Sequence, residues 1–193
     1  MQQLPVRVVK ADPCQSEAVL RMIRQSYFEK YNAMPKDLLE FCFVAVRGEE
    51  IIGSIGLEFS AATGFEIEKY FDCDFKVLPY AKNFTANFGR WKSPCPEVGS
   101  RLLFAAVKYA IAHGKLQGVA SSTPFLIRNL KQKYGLKLKI HDFSRKQTQC
   151  KQTQKEELNF FSPMTETKFY SFNLQEWYDT LEVRVSLSTR IFE

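Results

Sequence analysis

Asn87-Phe88-Gly89-Arg90-Trp91-Lys92-Ser93-Pro94 runs, within a few residues, into Glu97-Val98-Gly99-Ser100-Arg101-Leu102-Leu103. Residues 85–93 are rich in aromatics and read as a strand, which Pro94-Cys95-Pro96 stops. A helix follows from about residue 97 to 113. Val98, Leu102, Leu103, Ala106, Val107, Ala110 and Ile111 fall on one face, and Gly114 stands where a C-terminal cap belongs. A strand that turns into a helix opening on Gly-Ser-Arg makes an anion site. The free N–H groups and the positive end of the helix dipole meet there. Gly99 lets a phosphate approach the backbone, and Lys92 and Arg101 add positive charge.

Upstream, residues 6–10 form a short strand and Asp12-Pro13 signals a turn. Ser16 caps a helix to about Tyr31, whose apolar positions Val19, Leu20, Ile23, Tyr27 and Tyr31 recur at three- and four-residue steps. Residues 41–46 and 51–59 are β-rich runs joined by Gly48-Glu49-Glu50, which predicts a hairpin. A loop over 61–64 and the segment 65–71 follow. Downstream, residues 118–122 form a short strand. Pro124 opens a helix that ends at Tyr134-Gly135. Leu136, Leu138 and Ile140 alternate with Lys137, Lys139 and His141, the pattern of a half-exposed strand. Residues 144–155 are polar and hold Lys-Gln-Thr-Gln twice, which predicts a mobile loop over about 143–165. Residues 168–174 and 182–187 are the last expected strands. The order predicts an α/β fold with one central sheet. No linker interrupts it, so residues 1–193 are read as one domain.

The chain has 193 residues, 45% of them hydrophobic and 25% charged, which suits a globular domain rather than a disordered one. Phe accounts for 17 residues, so the core or a ligand channel is expected to be aromatic. The net charge of +6 admits an anionic ligand, but no Lys/Arg-rich helix interleaved with aromatics points to nucleic acid. No stretch approaches the roughly 18 apolar residues of a membrane helix, and the start lacks a signal-peptide pattern. The five cysteines form no Cys-x-x-Cys pair, and only His113 and His141 are available as imidazole ligands. Reduced thiols in a cytoplasmic protein and no metal site are the expectation.

The order of elements resembles the GNAT acyltransferases. Within that superfamily it is similar to the thermostable-hemolysin family, and more distantly to autoinducer and N-acyl amino acid synthases. The matching stretches are Met22-Ile-Arg-Gln-Ser-Tyr-Phe-Glu-Lys-Tyr-Asn-Ala33, Leu38-Leu39, Ile52-Gly-Ser-Ile-Gly-Leu57, Phe65-Glu-Ile-Glu-Lys-Tyr-Phe-Asp72, Gly99-Ser-Arg-Leu-Leu-Phe104, Arg128-Asn-Leu130 with Tyr134-Gly-Leu136, and Trp177-Tyr-Asp-Thr180. No pore-forming segment accompanies them. The resemblance implies a mostly antiparallel mixed sheet whose fourth and fifth strands splay apart, with a pantetheine arm in the V between residues 86–92 and 118–122. The co-substrate is then acyl-CoA or acyl-phosphopantetheine on an acyl carrier protein, with no tightly bound cofactor, and the acceptor is a small amine such as an amino acid. Gly89, Trp91, Lys92, Val98, Gly99, Ser100, Arg101, Ser121, Ser122 and Asn129 are the implied co-substrate contacts, with an N–H near residues 89–91 polarising the thioester carbonyl.

Attack by an amine requires a base. Glu68 matches the acidic position of a Glu-x-Tyr segment, and Glu66 shares its face if residues 65–71 are a strand. Arg90 has the bidentate fork for an acceptor carboxylate, and Asn87 is placed to orient acceptor or water. Autoinducer-type synthases have Glu-x-x-Arg on the fourth strand where this chain has Asn87-x-x-Arg90, and the general-acid Tyr of many GNAT enzymes corresponds to Lys131. Tyr134, one turn on, is expected to pack. Cys95 is not needed as a nucleophile in direct transfer. Phe59, Phe65, Phe84 and Phe88 are candidates for an acyl pocket. A GNAT-fold protein that binds acyl-CoA without turnover is the alternative.

Overall fold

The computed structural model describes residues 5–31, 34–59, 64–144 and 166–190. One seven-stranded sheet organises it, in the order β1-β2-β3-β4-β5-β7-β6. The strands are β1 (Val6–Lys10), β2 (Phe41–Arg47), β3 (Glu50–Phe59), β4 (Thr85–Lys92), β5 (Gln117–Ser122), β6 (Lys139–His141) and β7 (Lys168–Asn173). All neighbours are antiparallel except β4 and β5. A parallel pair needs a crossover, and helix α2 (Pro96–Ala112) provides it. The other helices are α1 (Ser16–Tyr31), α3 (Pro124–Gln132) and α4 (Leu174–Arg190).

Alternation along the strands separates two cores. Phe43, Ala45, Ile55, Leu57, Ala86, Phe88 and Phe172 pack with α2, α3 and α4. On the opposite face Cys42, Val44 and Val46 meet Val19 and Ile23 of α1. Val119 and Phe169 meet Phe65, Ile67 and Phe71 from the segment between β3 and β4. The fully buried Val and Leu positions of α2 follow its helical period, with Leu102, Ala106, Val107 and Ala110 at 0% exposure.

Four sequence readings are corrected. The condition under which Glu66 and Glu68 would share a strand face is not met: Glu66–Lys69 is a 3₁₀ turn, closed by Glu68 Oε1 accepting from the Phe65 N–H at 2.7 Å. Residues 182–187 are the second half of α4, not a strand. Val183, Val185 and Leu187 alternate as a strand would, but the helix starts earlier, where Asn173 Oδ1 accepts the Glu176 N–H at 3.0 Å. Burial of Leu174, Trp177 and Leu181 against the core then settles the period at three to four. The Lys137-Leu138 part of the alternating run is not a strand, and pairing is confined to Lys139–His141. Ser16 is the first residue of α1 and not its cap; Asp12 caps the preceding 3₁₀ turn. Residues 61–63, all but the first two residues of the expected loop over about 143–165, and both Lys-Gln-Thr-Gln segments lie outside the described residues.

Candidate active site

The site begins where β4 and β5 part. Their parallel pairing covers only Thr85↔Gln117, Ala86↔Gly118 and Asn87↔Val119. Beyond Asn87 the strands diverge, because β4 bulges. Ser54 on β3 stands opposite Lys92 and Gly56 opposite Gly89, so two steps on β3 face three on β4. Arg90 absorbs the extra residue with φ of +54°. That left-handed conformation costs a non-glycine residue about 1–2 kcal/mol. The Ser54 hydroxyl, fully buried, helps hold it by donating to the Arg90 carbonyl at 3.2 Å. A bulge leaves backbone groups outside the ladder. Here they stand at Gly89–Trp91, beside the gap.

A cavity of about 380 Å³ fills the V. One wall is Phe88, Gly89, Arg90, Trp91 and Lys92; the other is Ala120, Ser121 and Ser122; α3 closes it with Phe125, Leu126, Asn129 and Leu130. Among the described residues its lining includes four cationic side chains, Lys30, Arg90, Lys92 and Lys133, and no Asp or Glu. Trp91 Nε1 is buried and without a partner among the described residues. The Tyr134 ring packs edge-on against Trp91, with its hydroxyl aimed at the start of α2. Burial pushes the Tyr134 phenol up to about 12, so it stays protonated. A cationic channel that runs into an apolar core suits a ligand with anionic and carbonyl groups at one end and a hydrocarbon tail at the other.

A carboxylate cluster lies on the α1 side of the sheet, one side chain removed from the cavity wall. Glu58 on β3 stands opposite Asn87 in the ladder. Its Oε1 accepts from Asn87 Nδ2 at 2.7 Å and from the Glu66 N–H at 2.6 Å. Burial raises the Glu58 carboxyl above the usual carboxylate range, and the neighbouring Glu66 charge adds to this; both hydrogen bonds oppose it. The Glu66 side chain ion-pairs with Arg90 at 2.5 Å, and Arg90 Nε also donates to the Asp37 carbonyl at 3.3 Å. Burial works against the Arg90 charge, but Glu66 and the nearby Tyr27 and Tyr70 outweigh it and hold the guanidinium protonated.

Comparison with solved structures settles the architecture. An acetyltransferase of the GNAT family from Staphylococcus aureus Mu50 superposes with a TM-score of 0.54 at 11% identity, over 88% of this chain and 99% of that one. The chain has the GNAT fold. The CoA-dependent acyl-homoserine lactone synthase BjaI, solved with SAM and isopentyl-CoA, superposes with a TM-score of 0.62 at 10% identity, over 94% of this chain and 89% of that one. FeeM, an N-acyl amino acid synthase from uncultured soil microbes, gives 0.55 at 14% identity, over 90% and 92%. No protein-family model and no curated protein matches the sequence.

Within this GNAT fold the V brings together Gly89, Arg90, Trp91, Lys92, Ser121, Ser122 and Asn129. The start of α2 behaves differently. Val98 is in the main core. Ser100 is 2% exposed and its hydroxyl donates to the Pro96 carbonyl at 3.0 Å. Arg101 is held by Glu97 at 3.1 Å and the Val6 carbonyl at 3.3 Å. Gly99 makes room for a side chain: a Cβ there would stand 2.4 Å from the Tyr134 hydroxyl. Glu68 is bound by Lys82 Nζ, at 2.6 Å and 2.8 Å to its two oxygens, besides its own turn. Asn87 is buried beside Glu58 and off the cavity wall. Of the four phenylalanines expected around an acyl pocket, only Phe88 lines the cavity. Phe59 joins Phe41, Tyr109 and His113, Phe65 lies in the opposite core, and Phe84 is 44% exposed.

Glu58 and Tyr134 were missed by sequence reasoning. Glu58 gains meaning only from the register that sets it opposite Asn87. The signal for Tyr134 was its place at the end of a helix whose start, Pro124, borders the V.

Proposed function

We propose that the chain is an N-acyltransferase that takes an acyl group from a phosphopantetheine thioester, on CoA or on a carrier protein, to a small amine such as an amino acid. The observation that supports it best is the cavity at the β4/β5 splay, lined among the described residues by four cations and by no carboxylate. The likeness to the thermostable-hemolysin family points the same way. The pantetheine arm lies in the V, with its phosphates toward Lys92 and Lys133. The acyl chain enters the core beside Phe88.

The thioester carbonyl lies against the bulge at Gly89–Trp91, whose N–H groups stabilise the oxyanion. The amine nitrogen attacks the carbonyl carbon. A C–N bond forms and the C–S bond breaks. The proton leaving nitrogen passes through water to Glu58, the carboxylate whose surroundings raise its proton affinity. The thiolate takes a proton from Tyr134, which solvent restores, and leaves as the thiol. Glu58 is preferred to Glu68 because both Glu68 oxygens are engaged by Lys82. Arg90 acts as a positioning residue: it fixes Glu66, whose N–H holds Glu58.

A second reading is binding without turnover. The Glu66–Arg90 and Glu68–Lys82 pairs favour it, because each saturates a group a catalyst would keep free. Purified protein mixed with acyl-CoA of several chain lengths and a panel of amino acids separates the two. Amine-dependent thiol release with an N-acyl product in the mass spectrum supports the enzyme. Binding without thiol release supports the second reading, and neither binding nor release removes both.

A further inference from the structure

The cavity is bordered from both faces of the sheet. Asn129 and Lys133 line it from the α3 side, and Ser26, Tyr27 and Lys30 line it from α1. α3 packs with the main core, whereas α1 packs on the opposite face against Cys42, Val44 and Val46. The gap between β4 and β5 therefore opens through the sheet. Its α1 end carries a charge where the helix pattern calls for an apolar side chain. Val19, Ile23 and Ser26 follow at steps of four and three, are 0%, 0% and 7% exposed, and form the stripe that α1 turns to the sheet. Four residues on, the same stripe reaches Lys30, which is exposed and lines the cavity. No carboxylate pairs with Lys30 among the described residues. Its neighbour Glu29 takes a hydrogen bond from Gln25 at 3.0 Å, and adjacent helix positions do not face each other. Arg90, the other cation on this side of the sheet, is taken up by Glu66 and the Asp37 carbonyl.

We infer that the acceptor is held by a carboxylate of its own, which pairs with Lys30 at the α1 end of the cavity, so that the protein selects amino acids over amines without a carboxylate. The inference rests on the acyltransferase reading of the cavity. It moves the carboxylate-binding role from Arg90, whose fork is occupied, to a lysine that is free to take it. Glu58 lies on the same side of the sheet as α1. An amino acid entering there has its carboxylate toward Lys30 and its nitrogen toward the thioester carbonyl at Gly89–Trp91, within reach of the water that leads to Glu58. An ion pair formed by an exposed lysine is weak in open water, but at the mouth of a cavity it is less screened. A lysine in the last turn of a helix also complements the helix dipole, a role that acts on stability and not on the choice of acceptor.

Steady-state thiol release by the full chain tests this, with acyl-CoA or acyl-phosphopantetheine as donor and a panel of amino acids, each paired with its primary amide, as acceptors. The amide keeps the size of the acceptor and removes its negative charge. Wild type is expected to favour the amino acid it uses best over the matching amide by about tenfold or more in kcat/KM. Lys30→Gln is expected to raise the KM for that amino acid about tenfold, with kcat within about twofold and the KM values for the amide and the donor unchanged. Lys30→Arg is expected to restore most of the preference. Equal use of acid and amide by wild type, or a preference that survives in Lys30→Gln, overturns the inference and leaves acyl transfer standing. If no acceptor gives thiol release with either donor, the acyltransferase reading falls and the inference with it. A lower melting temperature of Lys30→Gln with an unchanged preference assigns the lysine to the helix dipole alone and also overturns it. The comparison of acid with amide in wild type needs no variant to fold.

Discussion

At the residue scale, the reading turns on Glu58. Burial leaves it holding its proton more tightly than it would in an unfolded chain, where a glutamate titrates near pH 4.3. Its contribution to stability is therefore fully present below the unfolded value and is lost as pH rises through the folded one. Glu58→Gln keeps an oxygen for Asn87 and for the Glu66 N–H but never ionises. Its stability is expected to exceed that of wild type at pH 7 and to converge with it near pH 4, measured by urea denaturation at both values. As a base, Glu58 is also expected to give acyl transfer that rises with pH through its raised value, and Glu58→Gln to lose about 100-fold or more in kcat. A turnover unchanged in Glu58→Gln would remove it from the mechanism. Little of this was legible in the sequence. Glu66 and Glu68 stood out because they fall within a recognisable segment, whereas Glu58 is an ordinary acidic residue until the β3/β4 register sets it opposite Asn87.

At the scale of elements, the bulge in β4 makes the site. The strand itself, the helix after it and the V were readable from aromatic composition, the proline stop and the apolar period of α2. The bulge was not. Nothing in Gly89-Arg90-Trp91 announces that Arg, rather than Gly, takes the left-handed conformation. Arg90→Gly and Arg90→Val both lose the pair with Glu66, and differ in how they tolerate φ of +54°. Arg90→Val is expected to be less stable than Arg90→Gly by about 1–2 kcal/mol in chemical denaturation. Equal stabilities would mean that the bulge relaxes without effort. The α4 misreading has the opposite lesson. A run of β-branched residues at a helix end imitates a strand, and the buried Leu174, Trp177 and Leu181 one to three turns earlier decide the period.

At the scale of the whole molecule, the net charge of +6 is partly explained by its distribution, since Lys30, Arg90, Lys92 and Lys133 converge on one cavity. Among the described residues no helix is long and apolar enough to cross a membrane. Lys133→Glu is expected to weaken CoA binding about tenfold, with a smaller effect on acyl-pantetheine lacking the nucleotide, and the difference should shrink at high salt. Equal losses for both ligands would place the phosphates elsewhere. The most direct measurement is a crystal structure with a non-hydrolysable acyl-CoA. The expected result is a pantetheine arm between β4 and β5, with the carbonyl oxygen within hydrogen-bonding distance of an N–H at Gly89–Trp91. An acyl-CoA bound on another face, with the V empty, would contradict it.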